Sequence, residues 1–405
     1  MQGSTTSTST NSNYAKIKAG SSWFDQFRYG SNPWMARYVY AMMFFIVNML
    51  AWAVRDYGHI AFKEMERLNG CKEVKECLGA EGSLRVSLGC FIFYFVMFLS
   101  TLGTSKSNQR RESWHSSWWF AKVTMMIALI VMPFFSPPEV ISLYGDLAHF
   151  GAGVFLLIQL ISVISFITWL SDCCQSEKNA DRCYVHVMLI STTSYVLCLI
   201  GIIMMYIWYT PDILSCRLNI FFITWTLVLL QLMTSVSRHP KVNGGFLTPG
   251  LMGLYVVFLC WSAIRSEPPE EMCIREAEHA TKEDWLTIIS FVVAVLTIVI
   301  ATFSTGIDSQ CFQFRKDNDK QEEDDVPYGY GFFHLVFATG AMYFAMLLIS
   351  WNSHHSMKKW TIDVGWTSTW VRIVNEWLAV CVYIWMLVAP IIRKWKSSQT
   401  GESRV

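Results

Sequence analysis

The sequence predicts an all-α polytopic membrane protein with about ten transmembrane helices, and three observations carry that prediction. Only 16% of the 405 residues are charged while 53% are hydrophobic, against about 25% charged in an ordinary soluble domain. The apolar residues gather in long runs, many close to the roughly 20 residues a helix needs to cross about 30 Å of hydrocarbon. Those runs, Ile288–Ile300 among them, do not alternate polar with apolar as the strands of a membrane barrel do. Backbone groups inside lipid must be paired within their own segment, and helices achieve that.

In chain order, residues 1–33 are polar and rich in Ser, Thr and Asn, a composition that predicts a disordered cytoplasmic tail. They hold no apolar signal core, so the first apolar run is expected to direct membrane insertion. A transmembrane domain is predicted over 34–395, followed by a short cytoplasmic tail over 396–405. Its helices are expected at 37–54, 83–103, 118–136, 138–170, 184–209, 218–236, 246–264, 285–303, 331–351 and 370–392. The fourth run is overlong: from Pro138 to Leu170 a helix extends about 50 Å at 1.5 Å per residue. It must tilt, break or protrude, and Gly145, Gly151 and Gly153 permit a bend or a close helix contact.

With ten spans the two termini share a side, and the loops on that side carry the larger share of Lys and Arg. Both termini are therefore expected in the cytoplasm of a secretory-pathway or plasma-membrane protein. Cys71, Cys77, Cys216 and Cys273 then fall in extracytoplasmic loops, where disulfides persist. Four cysteines permit three pairings; closeness in sequence favours Cys71–Cys77, leaving Cys216–Cys273. The net charge of +1 gives no footprint for nucleic acid. No GxxxxGK[ST] nucleotide loop, HExxH, GxSxG or paired CxxC occurs, so no cofactor, metal or catalytic motif is expected. His354 and His355 are adjacent in a loop without further ligands, and His186 and His334 sit at helix starts. The charged segment Arg315–Asp325 reads as a solvated loop.

Ionisable side chains at membrane depth are costly and therefore mark function or pairing. The candidates are Arg85, Lys122, Asp146, His149, Arg372 and Glu376, with Gln159 among the supporting polar residues. Arg372 and Glu376 are four apart, so mutual pairing on one helix face is the simplest expectation. Lys122, one turn inside Trp118 and Trp119, and Arg85, near a helix end, are placed to extend their charges to the interface. Asp146 and His149 share a helix face. With Gln159 nearly three turns further on, they outline a candidate polar path along the fourth helix.

Specific runs go beyond composition. Asn243–Ala263 (NGGFLTPGLMGLYVVFLCWSA), Val326–Phe333 (VPYGYGFF) and Trp366–Pro390 resemble signatures of the serine incorporator family, also called the TMS/TDE membrane proteins. Trp118–Lys122 (WWFAK) and Phe155–Leu160 (FLLIQL) match its third and fourth helices, and the resemblance covers about residues 33–395 in order. It implies ten helices in two bundles separated by a long tilted fourth helix. It departs from many members in lacking their Cys-rich N-terminal segment, in carrying Ser165 where they have an acidic residue, and in Glu376. The resemblance implies two activities: supply of serine for phosphatidylserine and sphingolipid synthesis, and ATP-independent phospholipid scrambling. Physics favours scrambling. A headgroup loses hydration in hydrocarbon, and a polar groove lowers that barrier without an energy source. A serine carrier is expected to show a midplane pocket between interrupted helices, whereas Pro249 and Pro390 lie near helix ends. The expected partners are membrane phospholipids or, in the alternative, serine and lipid-synthesis enzymes; a scaffold and a homo-oligomer stay open.

Overall fold

Long apolar runs become long helices. The computed structural model describes residues 33–61, 77–104, 110–175, 180–211, 216–242, 244–268, 273, 296, 299–300, 302–304, 328–351 and 362–402. The helices are α1 (Pro33–Ala61), α2 (Cys77–Thr101), α3 (Arg110–Ser116), α4 (Trp119–Val131), α5 (Pro138–Gln175), α6 (Ala180–Tyr209), α7 (Arg217–Ser237), α8 (Leu247–Arg265), α9 (Tyr330–Leu348) and α10 (Trp366–Glu402). Eight of them, all but α3 and α4, are long and apolar enough to cross a membrane. No strand occurs among the described residues. Residues 1–32 of the predicted tail and all but a few residues of the predicted helix 285–303 lie outside them.

Hydroxyl groups inside these helices close on their own backbone. Thr101, Thr168, Thr226, Thr234 and Thr339 each donate to the carbonyl four residues earlier. That back-bonding keeps these five hydroxyl hydrogens from facing hydrocarbon unpaired.

Two sequence expectations are corrected here. The third predicted span, 118–136, is not one continuous crossing helix. Its α-helix is the 13-residue α4, about 20 Å long, and it gives way to a 3-10 turn over Met132–Phe135. Pro133 explains the break, since it has no N–H and its ring clashes with the preceding turn. The stretch predicted as a simple loop before it contains the short helix α3.

The core falls into two bundles. In the first, α1, α2, α4 and α9 pack around Tyr40, Phe44, Phe93, Tyr94, Phe333, Phe337 and Phe344. In the second, α6, α7, α8 and α10 interlock through Cys198, Ile202, Phe222, Val257, Cys260 and Ile373. Between lipid-immersed helices such contacts stabilise by van der Waals packing, because lipid removes the hydrophobic drive. The long α5 joins the two. Its Ile141, Tyr144, Ala148 and Ala152 pack on α2 and α9, whereas Leu160, Ile164 and Ile167 pack among α7, α8 and α10. No break interrupts it. Gly151 serves close packing, since a Cβ there would collide with Met342 of α9.

The disulfide Cys216–Cys273 forms, with a Cα–Cα distance of 5.8 Å, and closes 57 residues of chain. Cys71 lies outside the described residues, so the pairing proposed for Cys71–Cys77 is not described. Cys90, Cys198, Cys260 and Cys381 are free thiols within helices.

Candidate functional site

The outer face of α5 carries the first group of polar residues. Asp146 and His149 are exposed, alternating with the exposed Leu143, Leu147 and Phe150. Each ring nitrogen of His149 faces a carbonyl, Nδ1 at 2.8 Å from that of Gly145 and Nε2 at 3.2 Å from that of Trp351, and the tautomer decides which of the two receives the N–H. The second contact ties α5 to the chain leaving α9. Gln159 is half-buried and lies about 140° around the helix from Asp146 at 100° per residue. It sits where the α5 core contacts pass from the first bundle, at Ile158, to the second, at Leu160. Asp146 and His149 therefore share one face of the stretch packed on the first bundle, and Gln159 lies round the helix from them where the second bundle begins, rather than in one straight stripe.

Lys122 is held by protein groups rather than presented to water or lipid. It is fully buried, and its Nζ donates to the carbonyls of His115 at 2.8 Å and Ser117 at 2.6 Å. Its charge lies over the Trp119 ring at 4.4 Å and the Tyr40 ring at 5.3 Å. Carbonyl dipoles and aromatic faces thus replace the water that interfacial placement would have supplied. Around it stands a network of neutral groups. His115 Nδ1 meets His334 Nε2 at 3.0 Å, and His115 Nε2 meets the Tyr328 hydroxyl at 2.9 Å. The Tyr40 hydroxyl donates to the His115 carbonyl, and Tyr330 stacks on the imidazole at 4.1 Å. Burial, reinforced by the Lys122 charge, holds the His115 imidazole well below its ordinary range. Burial likewise pushes the Tyr328 phenol upward.

Arg85 is also held by protein. It pairs with Glu81 one turn earlier and donates to the carbonyls of Pro133 at 2.6 Å and Ser136 at 2.9 Å. It therefore clamps the 3-10 turn left by Pro133, and the expected interfacial reach is replaced by these three partners.

The expected Arg372–Glu376 pair is not formed. Arg372 Nε donates to Asp363 Oδ2 at 2.6 Å, and the guanidinium also contacts Ser262 of α8. Asp363, on the segment between α9 and α10, wins because its own N–H is fixed to the Leu347 carbonyl at 2.9 Å. That bond presents the carboxylate to Arg372 directly, whereas pairing along one helix must hold two long side chains in one geometry. Glu376 turns instead into the second bundle, where Oε1 lies 2.8 Å from the Thr226 hydroxyl.

Sequence reading passed over His115, Asp363 and Thr226 and gave His334 no role. A signal existed for the first network: the WWFAK and VPYGYGFF runs each combine aromatics with a polar group, and the fold brings them together around His115. Asp363 and Thr226 carried none, since each is ordinary until its partner is placed. Among the described residues no group of three or more His, Cys, Asp or Glu is arranged to hold a metal ion.

Comparison with known proteins follows this geometry. The family model described as serine incorporator (Serinc) matches residues 16–323 and 307–395. Serine incorporator 3 of Bos taurus is 25% identical over 375 aligned positions, covering 76% of this chain and 78% of its own. A probable serine incorporator of Nematostella vectensis is 26% identical over 359 positions, covering 76% and 78%. One from Monosiga brevicollis is 24% identical over 441 positions, covering 89% and 90%.

Proposed function

The chain belongs to the serine incorporator family, and on that premise we propose that it is an ATP-independent, poorly selective phospholipid scramblase. The observation that supports this reading is the exposed polar face of α5. An ionisable Asp146 and an imidazole stand on a long membrane helix among exposed leucines and Phe150, although such groups are expensive against hydrocarbon. A lipid headgroup beside Asp146 and His149 removes that cost while its acyl tails stay against Leu143, Leu147 and Phe150. Gln159, at the seam of the bundles, continues the path. The movement equilibrates lipid and needs no energy source. In this reading both termini are cytoplasmic, and the protein acts in membranes of the secretory pathway or at the plasma membrane.

The test is purified protein in liposomes, with fluorescent-lipid transfer and thermal stability measured on the same samples. Replacing Asp146, His149 and Gln159 together with Leu is expected to slow transfer several-fold, while the melting temperature falls no further than in His149→Leu alone, which loses the contact to the Trp351 carbonyl. Absence of transfer by the wild type in several lipid compositions refutes the activity. Full transfer by the triple variant refutes the path. The name of the relatives favours a second reading, an accessory that supplies serine to lipid-synthesis enzymes; serine-dependent stimulation of a purified synthase, without lipid transfer, is its mark.

A further inference from the structure

Glu376 is a carboxyl group inside the second bundle, 1% exposed, and no cation among the described residues pairs with it. Arg372, one turn earlier on α10, is committed to Asp363 and Ser262. The groups facing Glu376 from neighbouring helices are Thr226 on α7 and Cys260 on α8. The α5 face packed on this bundle is Leu160, Ile164 and Ile167, none of which titrates. Glu376 Oε2 has no hydrogen-bond partner among the described residues.

The hydrogen count around Thr226, beside which the Cys260 thiol also stands, supports one protonation state of Glu376. Its Oγ1 lies 2.8 Å from the Phe222 carbonyl and 2.8 Å from Glu376 Oε1. A hydroxyl has one hydrogen to donate and two lone pairs to accept with. If Glu376 is ionised, three oxygens share that single hydrogen, and one close contact is left with none. If Glu376 is a neutral acid, every contact is served. Oε1–H donates to Thr226 Oγ1, and Thr226 Oγ1–H donates to the Phe222 carbonyl. Oε2 then is a carbonyl oxygen, far less costly to leave unpaired than a carboxylate oxygen.

We propose that Glu376 is a proton-binding site in the second bundle, held as a neutral carboxylic acid that donates its hydrogen to Thr226. The ligand is a single proton, taken onto Oε1 when the chain folds into the membrane. Losing that proton leaves a bare charge among apolar side chains, so release requires water or a small cation to enter between α7, α8 and α10. The site is separate from the α5 path and does not depend on lipid movement.

Infrared spectroscopy of the purified full-length protein in lipid nanodiscs at neutral pH tests it. The carbonyl stretch of a protonated carboxylic acid stands apart from the amide and ionised-carboxylate bands. The wild type is expected to show a band in that region that disappears in Glu376→Gln and shifts to higher frequency in Thr226→Val, where its hydrogen-bond acceptor is gone. Wild-type and Glu376→Gln spectra that superimpose there overturn the proposal. Should Glu376→Gln fail to fold, Thr226→Val decides alone: a band that moves supports the site, and a band that stays in place, or is absent from the wild type, refutes it.

Discussion

Replacing Asp363 with Asn separates the observed ion pair from the one that sequence spacing suggests. Asp363 has a positive φ of 56°, a conformation that Asn tolerates as well as Asp, so the substitution removes charge without straining the backbone. Its carboxylate side chain is 5% exposed and the Arg372 side chain 25%. Removing one partner from a fully buried pair costs about 3–5 kcal/mol. The quarter exposure of Arg372 and its contact with Ser262 soften that loss, so about 2 kcal/mol is expected. A double-mutant cycle supplies the assay, with Asp363→Asn and Arg372→Met made singly and together and unfolding followed in nanodiscs. The pair should couple by about 1–2 kcal/mol, and the double variant should recover part of the single-site loss. A parallel cycle of Arg372→Met with Glu376→Gln should give coupling near zero. A larger coupling between Arg372 and Glu376 than between Arg372 and Asp363 refutes the partner assignment.

Lys122→Met leaves the Ser117 carbonyl without its side-chain donor and the His115 carbonyl with Tyr40 alone, at about 1–3 kcal/mol for the unsatisfied group; equal stability of variant and wild type, or acylation of Lys122 in the folded protein, contradicts its burial. Cys216→Ser opens a 57-residue loop and should cost about 4 kcal/mol in the chain-entropy view, with non-reducing peptide mapping expected to recover Cys216 joined to Cys273. His115 is held neutral, its imidazole below the ordinary range, so the unfolded chain binds the extra proton; stability is whole at higher pH and falls as pH drops through about 6.5. His115→Gln should flatten that acid loss in a melting series, and an unchanged slope counts against the network.

Much of the architecture is legible in the residues alone, because each membrane helix must satisfy two local demands. Its own backbone has to pair within the segment, and its own side chains have to tolerate lipid. Eight of the ten predicted runs therefore coincide with described helices long and apolar enough to cross a membrane, and the overlong run from Pro138 becomes a helix that packs on both bundles. The Cys216–Cys273 pair, one of three pairings the sequence allows, forms in the structure. Local rules fail where a residue acts on its neighbours in the chain, as at Pro133, whose break shortens α4. They fail more widely for polar partners. His115 meets His334 across 219 positions, Arg372 meets Ser262 across 110, and Glu376 meets Thr226 across 150. A buried charge takes whichever partner the packed backbone presents at bonding distance, and helix spacing ranks only the candidates on its own helix. The helices were thus determined by sequence, residue by residue. The choice of Asp363 for Arg372, of carbonyls and aromatic rings for Lys122, and of Thr226 for Glu376 belongs to tertiary structure, because hydrogen bonds act over about 3 Å and only the fold brings distant residues that close.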